Sequence, residues 1–326
     1  MRESVVGVAG LGLIGSSIAR CLAPSASVTA FDPNAAARRA AADLGVRPVE
    51  SIAGLATCDV VILAAPTQSN TVLLQELMAS GSRPVVMDAG SVKSGIVGAW
   101  LAVDPTFPFV ATHPMAGSEE AGFAAGRADL FQEAPWPVVV TTQTDAAALA
   151  SVLEIITALG GQPIPVSAQT HDQSVAEISH LPHLLAGALG NVVVAPGPNL
   201  LAVRLAAGSF RDLNRISAAP VERTAEFLAA NAGEAALRAR QAAAELNRAA
   251  ALLEACDTAA LIEWLRAAHT LRVEQGAVTE PTREASADLT ASELLQQLLS
   301  VRDSGTAVVE FATQQGNFDL VLSRGS

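Results

Sequence analysis

The first half of the chain exchanges two periodicities in a regular way, and this limits the fold more than any other feature. Apolar runs at Val5–Ala9, Ser27–Phe31, Val60–Ala64, Val85–Asp88, Phe109–Thr112 and Pro137–Thr141 read as strands. Between several of them lie stretches of helical character, such as Ala35–Leu44 and Ser69–Ala79. Strands separated by helices are joined by crossovers, and crossovers build a mostly parallel, doubly wound sheet. A helix over Ala146–Leu159 and a short strand near Pro163–Val166 would close this part. After about Ser167 the strand pattern stops. Thr170–Val194, Val221–Cys256, Thr258–Gln275 and Ala285–Arg302 read as helices, most clearly over Ala232–Cys256, where apolar and charged residues recur at helical spacing. Thr306–Thr313 and Asn317–Arg324 then read as a hairpin turning at Gln314-Gln315-Gly316, too short for a full regulatory domain. The expected organisation is an α/β domain over 1–166, a helical domain over 167–303 and a hairpin tail over 304–326.

With 326 residues, half of them hydrophobic, the chain is long enough for two domains with a large core. Its net charge of -12 excludes the basic stripe that phosphate backbones need, so no nucleic-acid partner is expected. Cys21, Cys58 and Cys256 are scattered and form no C-x-x-C pair; all three read as small core residues in a reducing compartment. No basic region followed by a cleavable apolar stretch opens the sequence, and a cytoplasmic protein is expected. Glu177 to Arg204 brackets a stretch free of charged residues. It holds His180, Pro182, His183, Asn191, Pro196 and Pro198, which suit a helix buried between subunits rather than one facing lipid. No membrane partner is expected.

Gly10, Gly12 and Gly15 sit where the first strand gives way to a helix. In such a G-x-G-x-x-G turn the first glycine permits the tight turn, the second lets backbone approach a pyrophosphate, and the third lets helix and strand pack. The free N–H groups of the helix start then face the anion. Gly10, Gly12, Leu13, Ile14 and Gly15 are therefore candidate cofactor contacts. Asp32, at the end of the second strand, is placed to accept hydrogen bonds from ribose hydroxyls. It would repel a 2′-phosphate, which predicts NAD over NADP. Ala65, Pro66 and Thr67 should line the cofactor at the carboxyl end of the sheet.

Four further segments carry the chemistry. His113 follows a strand and precedes Pro114, with Gly117 allowing a close turn; an imidazole at the carboxyl edge of the sheet suits a general base at neutral pH. Ser91, in Asp88-Ala89-Gly90-Ser91-Val92-Lys93, reads as a hydrogen-bond partner of that histidine or of a substrate hydroxyl, or as a helix N-cap. Lys93 is the only lysine among 20 Lys and Arg residues. Ser179, His180 and His183 occupy one helical turn and suit contact with a polar substrate better than a metal, since only Glu177 lies near. Arg211 and Arg215 are one turn apart if this stretch is helical, and a guanidinium fork matches a carboxylate. One of them is expected to hold substrate, the other to pair with Asp212 or Glu119. The absence of tyrosine excludes a Tyr/Lys acid-base pair.

Taken together, His113-Pro114-Met115-Ala116-Gly117, Ser179-His180-Leu181-Pro182-His183 and Phe210-Arg211-Asp212-Leu213-Asn214-Arg215 resemble the prephenate/arogenate dehydrogenase family of tyrosine biosynthesis, over roughly Val5 to Arg302. The resemblance implies a Rossmann-type N-terminal domain and an all-α dimerisation domain, an arrangement like that of 6-phosphogluconate dehydrogenase. It implies NAD-dependent oxidative decarboxylation of a cyclohexadienyl carboxylate, with prephenate the expected substrate. His113 would accept the proton of the ring 4-hydroxyl as hydride leaves, with Ser91 in support. Arg215 would hold the ring carboxylate. Ser179 and His183 would line the pocket, Ser118 and Glu119 would lie at its mouth, and backbone at Gly208 would approach the substrate. Ser209 and Asn214 depart from residues common in the family. The hairpin does not look like its regulatory ACT domain. Arogenate and a 4-amino analogue of prephenate remain alternative substrates. A β-hydroxyacid dehydrogenase, an imine reductase or a dinucleotide-sensing dimer without catalysis would use the same glycines but has no use for His113 and Arg215 as placed here. The apolar pattern of the helical half predicts a homodimer.

Overall fold

The computed structural model describes residues 4–118, 120–195, 200–274, 282–314 and 316–324. Six parallel strands form the main sheet: β1 (Val5–Ala9), β2 (Ser27–Phe31), β3 (Arg47–Val49), β4 (Val60–Leu63), β5 (Val85–Asp88) and β6 (Phe109–Val110), in the order β3-β2-β1-β4-β5-β6. β1 and β4 are apolar along their length because both faces of the sheet are covered. The covering helices are α1 (Leu13–Leu22), α2 (Ala35–Ala42), α3 (Thr67–Ala79), α4 (Ser94–Val103) and α5 (Ala146–Ala158). This is the doubly wound order, and it puts the carboxyl ends of β1, β4, β5 and β6 along one edge. Beyond β6 the chain continues alongside β7 (Pro135–Val139), which pairs in parallel with β8 (Gln162–Val166). The His113 N–H donates to the Pro137 carbonyl and that of Met115 to the Pro135 carbonyl.

The chain divides into two compact units. One comprises Met1–Asp172, Ala219–Ala230 and Arg283–Arg324; the other comprises Gln173–Ala218 and Asn231–Thr282. The second is helical. α6 (Ala168–Val175) leads into it, followed by a π-turn over Ala176–His180, α7 (Leu181–Val194), α8 (Leu200–Leu205), α9 (Gly208–Asn214), α11 (Ala232–Glu254) and α12 (Thr258–Glu274); α10 (Val221–Ala230) belongs to the first unit.

Several local expectations need correcting. The long helix expected over Thr170–Val194 is broken by the π-turn, just ahead of Pro182, whose missing N–H cannot continue the ladder. The helix expected over Val221–Cys256 is two helices parted at Asn231, and Pro196 and Pro198 lie outside the described residues. The helix expected over Ala285–Arg302 is strand β9 (Thr282–Leu289) followed by α13 (Ala291–Ser300). A capping box between Thr290 and Glu293 starts α13 there, and Leu294 and Leu298 pack it into the core shared with α5. The hairpin forms as β10 (Ala307–Gln314) and β11 (Asn317–Arg324), with β9 as a third strand beside β11; Gln315 at its turn lies outside the described residues. Only Cys58 is buried; Cys21 is half-buried and Cys256 is exposed. No helix among the described residues is long and apolar enough to cross a membrane.

Candidate active site

The glycine turn separates fold from ligand by its own geometry. Gly10 has φ +96, and a Cβ there would lie 2.7 Å from the Ala64 carbonyl oxygen. A Cβ at Gly15 would come within 1.8 Å of the Gly10 oxygen. Both glycines are demanded by the packing of β1, α1 and β4. A Cβ at Gly12 would meet nothing within 4 Å, so the protein itself does not require glycine there. A group that needs close approach to the backbone at the N-terminus of α1 does, and a pyrophosphate is such a group. Asp32 accepts from Leu11 N (2.6 Å) and Asn34 N (2.7 Å), so its carboxylate stands against the glycine turn. Asn34, rather than Asp32, caps α2. Ala65, Pro66 and Thr67 follow β4 at the same edge and open α3. These residues fit a dinucleotide.

At the ends of β5 and β6 lies a polar network that the sequence reading missed. Thr112 donates its N–H to Asp88 Oδ1 (3.0 Å) and its hydroxyl to the Asp88 carbonyl (2.5 Å), and accepts from Trp136 Nε1 (3.0 Å). Lys93, fully buried, donates Nζ to Asp88 Oδ2 (2.5 Å) and to the Thr112 carbonyl (2.7 Å). The residue before His113 is thus held from several sides. Nδ1 of His113 lies 3.0 Å from Nε2 of His171, and Nδ1 of His171 lies 2.8 Å from Asp172 Oδ1. Asp172 also accepts the backbone N–H groups of Lys93 and Ser94, each at 2.8 Å. His171 and Asp172 are buried, whereas His113 is half-buried.

Burial pushes the Lys93 ammonium below the ordinary lysine value, against the pull of Asp88. Burial also lowers His171, opposed by its bond to Asp172, and the Lys93 charge adds to the lowering. For Asp172, burial acts upward, but the bonds from His171, Ser94 and backbone outweigh it and hold the carboxyl below the usual range. The network therefore holds a neutral His171 against an ionised Asp172 near neutral pH.

Ser91 is not the cap of α4, which begins at Ser94 with Lys93 in the N-cap position. Its hydroxyl lies 3.4 Å from that of Thr67 at the same sheet edge. Ser118 lies in a loop gripped by Arg223 of α10, which donates to the Ser118 carbonyl (3.1 Å); Glu119 lies outside the described residues. In the second unit, the π-turn separates residues expected on one side. His180 is turned inward and buried beside Asn231 (3.3 Å), while Ser179 and His183 are half-buried. Gly208 is the first residue of α9, and Arg211 and Arg215 are exposed. Among the described residues no cluster of His, Cys, Asp and Glu is arranged to hold a metal. His171, Asp172 and Arg223 are the functional candidates that sequence reasoning passed over, whereas Lys93 stands out there as the sole lysine. The one available signal was scarcity, since the chain has 5 histidines and His171 is one of them.

A family model described as the nucleotide-binding domain of prephenate dehydrogenase matches residues 18–164. A second, described as the dimerization domain of prephenate dehydrogenase, matches residues 167–267. The prephenate dehydrogenase of Bacillus subtilis (strain 168) is 30% identical over 283 residues, which is 83% of this chain and 76% of that protein. The cyclohexadienyl dehydrogenase of Zymomonas mobilis is 33% identical over 222 residues, 65% of this chain and 76% of that protein. The crystal structure of prephenate dehydrogenase from A. aeolicus, in complex with hydroxyphenyl propionate and NAD+, matches with a TM-score of 0.77 and 25% identity, covering 84% of this chain and 99% of that one.

Proposed function

The chain belongs to the prephenate/arogenate dehydrogenase family and is an oxidoreductase; from that premise we propose that it converts prephenate to 4-hydroxyphenylpyruvate with NAD. The observation that carries the reading is His113, half-buried at the carboxyl edge of the sheet and held by His171 and by the Thr112 clamp. Bound NAD supplies the hydride acceptor. His113 takes the proton of the ring 4-hydroxyl as hydride leaves the same carbon. Carbon dioxide then departs with its bonding electrons left in the ring, which becomes aromatic. The proton held on His113 returns to the phenolate oxygen, so the residue acts first as base and then as acid. The enzyme's share is orientation and this one proton.

Within this reading Ser91 supports the 4-hydroxyl contact. Ser118 and Glu119 border the substrate, and Ser179, His183, Gly208 and Arg215 meet it, with Arg215 on the ring carboxylate. The choice of NAD is supported by Asp32 and by Arg38. The Arg38 guanidinium, a nearby candidate for a 2′-phosphate, is already engaged by Glu50 (2.6 Å) and by the Asp32 carbonyl (2.6 Å). A homodimer is supported by the dimerization-domain match and by the exposed apolar residues of the second unit.

The test is NADH or NADPH formation from prephenate and from L-arogenate, each with NAD and with NADP. Turnover of prephenate with NAD is expected, falling away below about pH 6 as an imidazole base is protonated. Turnover of arogenate alone would move the substrate. Failure of all four pairs while NAD still binds would overturn the reading and leave the 4-amino analogue to be tried.

A further inference from the structure

The bond between two histidines leaves open which nitrogen carries which proton, and the rest of the network decides it. Asp172 accepts hydrogen bonds from Lys93 N and Ser94 N, so it is an acceptor and ionised. His171 Nδ1, 2.8 Å away, must then be the N–H that donates to it. A neutral His171 with its proton on Nδ1 carries a lone pair on Nε2. That lone pair lies 3.0 Å from His113 Nδ1, which must therefore be N–H. The lone pair of a neutral His113 is then confined to Nε2.

We propose that His171, oriented by Asp172, is a positioning residue that sets the tautomer of His113 so that Nε2 is its basic atom, and that it steadies the imidazolium formed when His113 takes a proton. The proposal rests on the reading of His113 as base. The charged and titratable groups that act on His171 are Asp172, Lys93 and Asp88, all buried. The Lys93 charge helps to keep His171 neutral, as acceptance from His113 requires. Burial makes the arrangement selective, because it disfavours a protonated His171, whose Nε2–H would donate to His113 Nδ1 and drive the proton of His113 onto Nε2.

A direct test uses the unmodified protein. In a long-range 1H–15N spectrum of histidine-labelled enzyme near pH 8, His113 is expected with its proton on Nδ1 and a pyridine-type Nε2. The opposite tautomer would overturn the proposal. Kinetics give the second test. His171→Ala should lower kcat about 100-fold, change KM less than about threefold, and move the acidic limb of the pH profile to lower pH, since the imidazolium loses its acceptor. His171→Gln, whose amide oxygen takes the place of Nε2, should recover much of kcat. Unchanged kcat and an unchanged acidic limb in His171→Ala would overturn the proposal. His113→Asn separates the premise from the inference: if it keeps activity and pH profile, the base reading fails, whatever His171 does.

Discussion

Leu63, Leu74, Leu149 and Leu153 of the first unit are 0% exposed, whereas Leu200, Leu201, Leu205 and Leu213 of the second are 70%, 67%, 71% and 67% exposed. All eight are leucines in regular elements, and hydropathy alone does not tell them apart. A sheet covered by helices on both faces buries its own apolar residues. The helices of the second unit leave apolar residues exposed in the single chain, the kind of surface that the proposed homodimer would cover. The polar residues differ in part in the same way, although His180 and Asn231 of the second unit are also buried and bonded. In the first unit Asp88, Lys93, His171 and Asp172 are buried and mutually bonded, while Arg211 and Arg215 of the second stand exposed.

The contrast breaks most readily on the apolar side. Leu201→Asp combined with Leu205→Asp should convert the dimer to monomer at micromolar concentration by light scattering, since two charges cannot be buried unpaired. Val72→Asp and Val103→Asp, at apolar residues of the first unit that are 52% and 58% exposed, should leave the mass unchanged. A monomeric wild type would remove the basis of the comparison.

On the polar side, Lys93→Ala strands the Asp88 carboxylate in the core. Removing one partner of a buried pair costs about 3–5 kcal/mol, read as a lower urea midpoint. A loss below 1 kcal/mol would mean that the backbone donors of Gly90 and Thr112 suffice for Asp88.

The glycine turn gives a finer contrast. Gly15→Ala should cost about 1–3 kcal/mol of stability through overpacking, because its Cβ collides with the Gly10 oxygen. Gly12→Ala, at the N-cap of α1 with open space for its Cβ, should cost no more than about 0.5–1 kcal/mol of stability yet raise KM for the dinucleotide. Equal Tm losses in the two would show that Gly12 serves the fold after all.

The smallest effect is in pH. His171 has a lowered value in the folded protein, so below about 6.5 the unfolded chain takes up a proton that the folded chain does not. Stability should therefore fall as pH drops through that point. Asp172, also lowered, contributes stability above the ordinary carboxylate value that is lost on further acidification. Urea midpoints of His171→Gln between pH 7 and 5 should be flatter than those of wild type.

Much of the first unit was readable from the chain. β1, β2 and β5 start and end where the apolar runs do, because each is a short apolar run bounded by turn residues. The glycine turn and His113 were readable for the same local reason. β3 was missed because Arg47-Pro48-Val49 has no apolar pattern and exists through its pairing with β2. β9 was read as helix because its Ala and Glu residues favour one; its place beside β11 overrides that preference. His171 and Asp172 were passed over because nothing within the stretch Thr170–Asp172 distinguishes them.

The sequence by itself determined the parallel sheet, the glycine turn with its acidic partner and the histidine at the sheet edge. These follow from steric limits and periodicities that act over a few residues. Only the tertiary structure decided that the single lysine is a buried brace, that β9 is a strand, and that His113 meets a second histidine 58 positions away. Desolvation and hydrogen bonding between distant residues depend on what the fold brings together, and no local pattern carries that information.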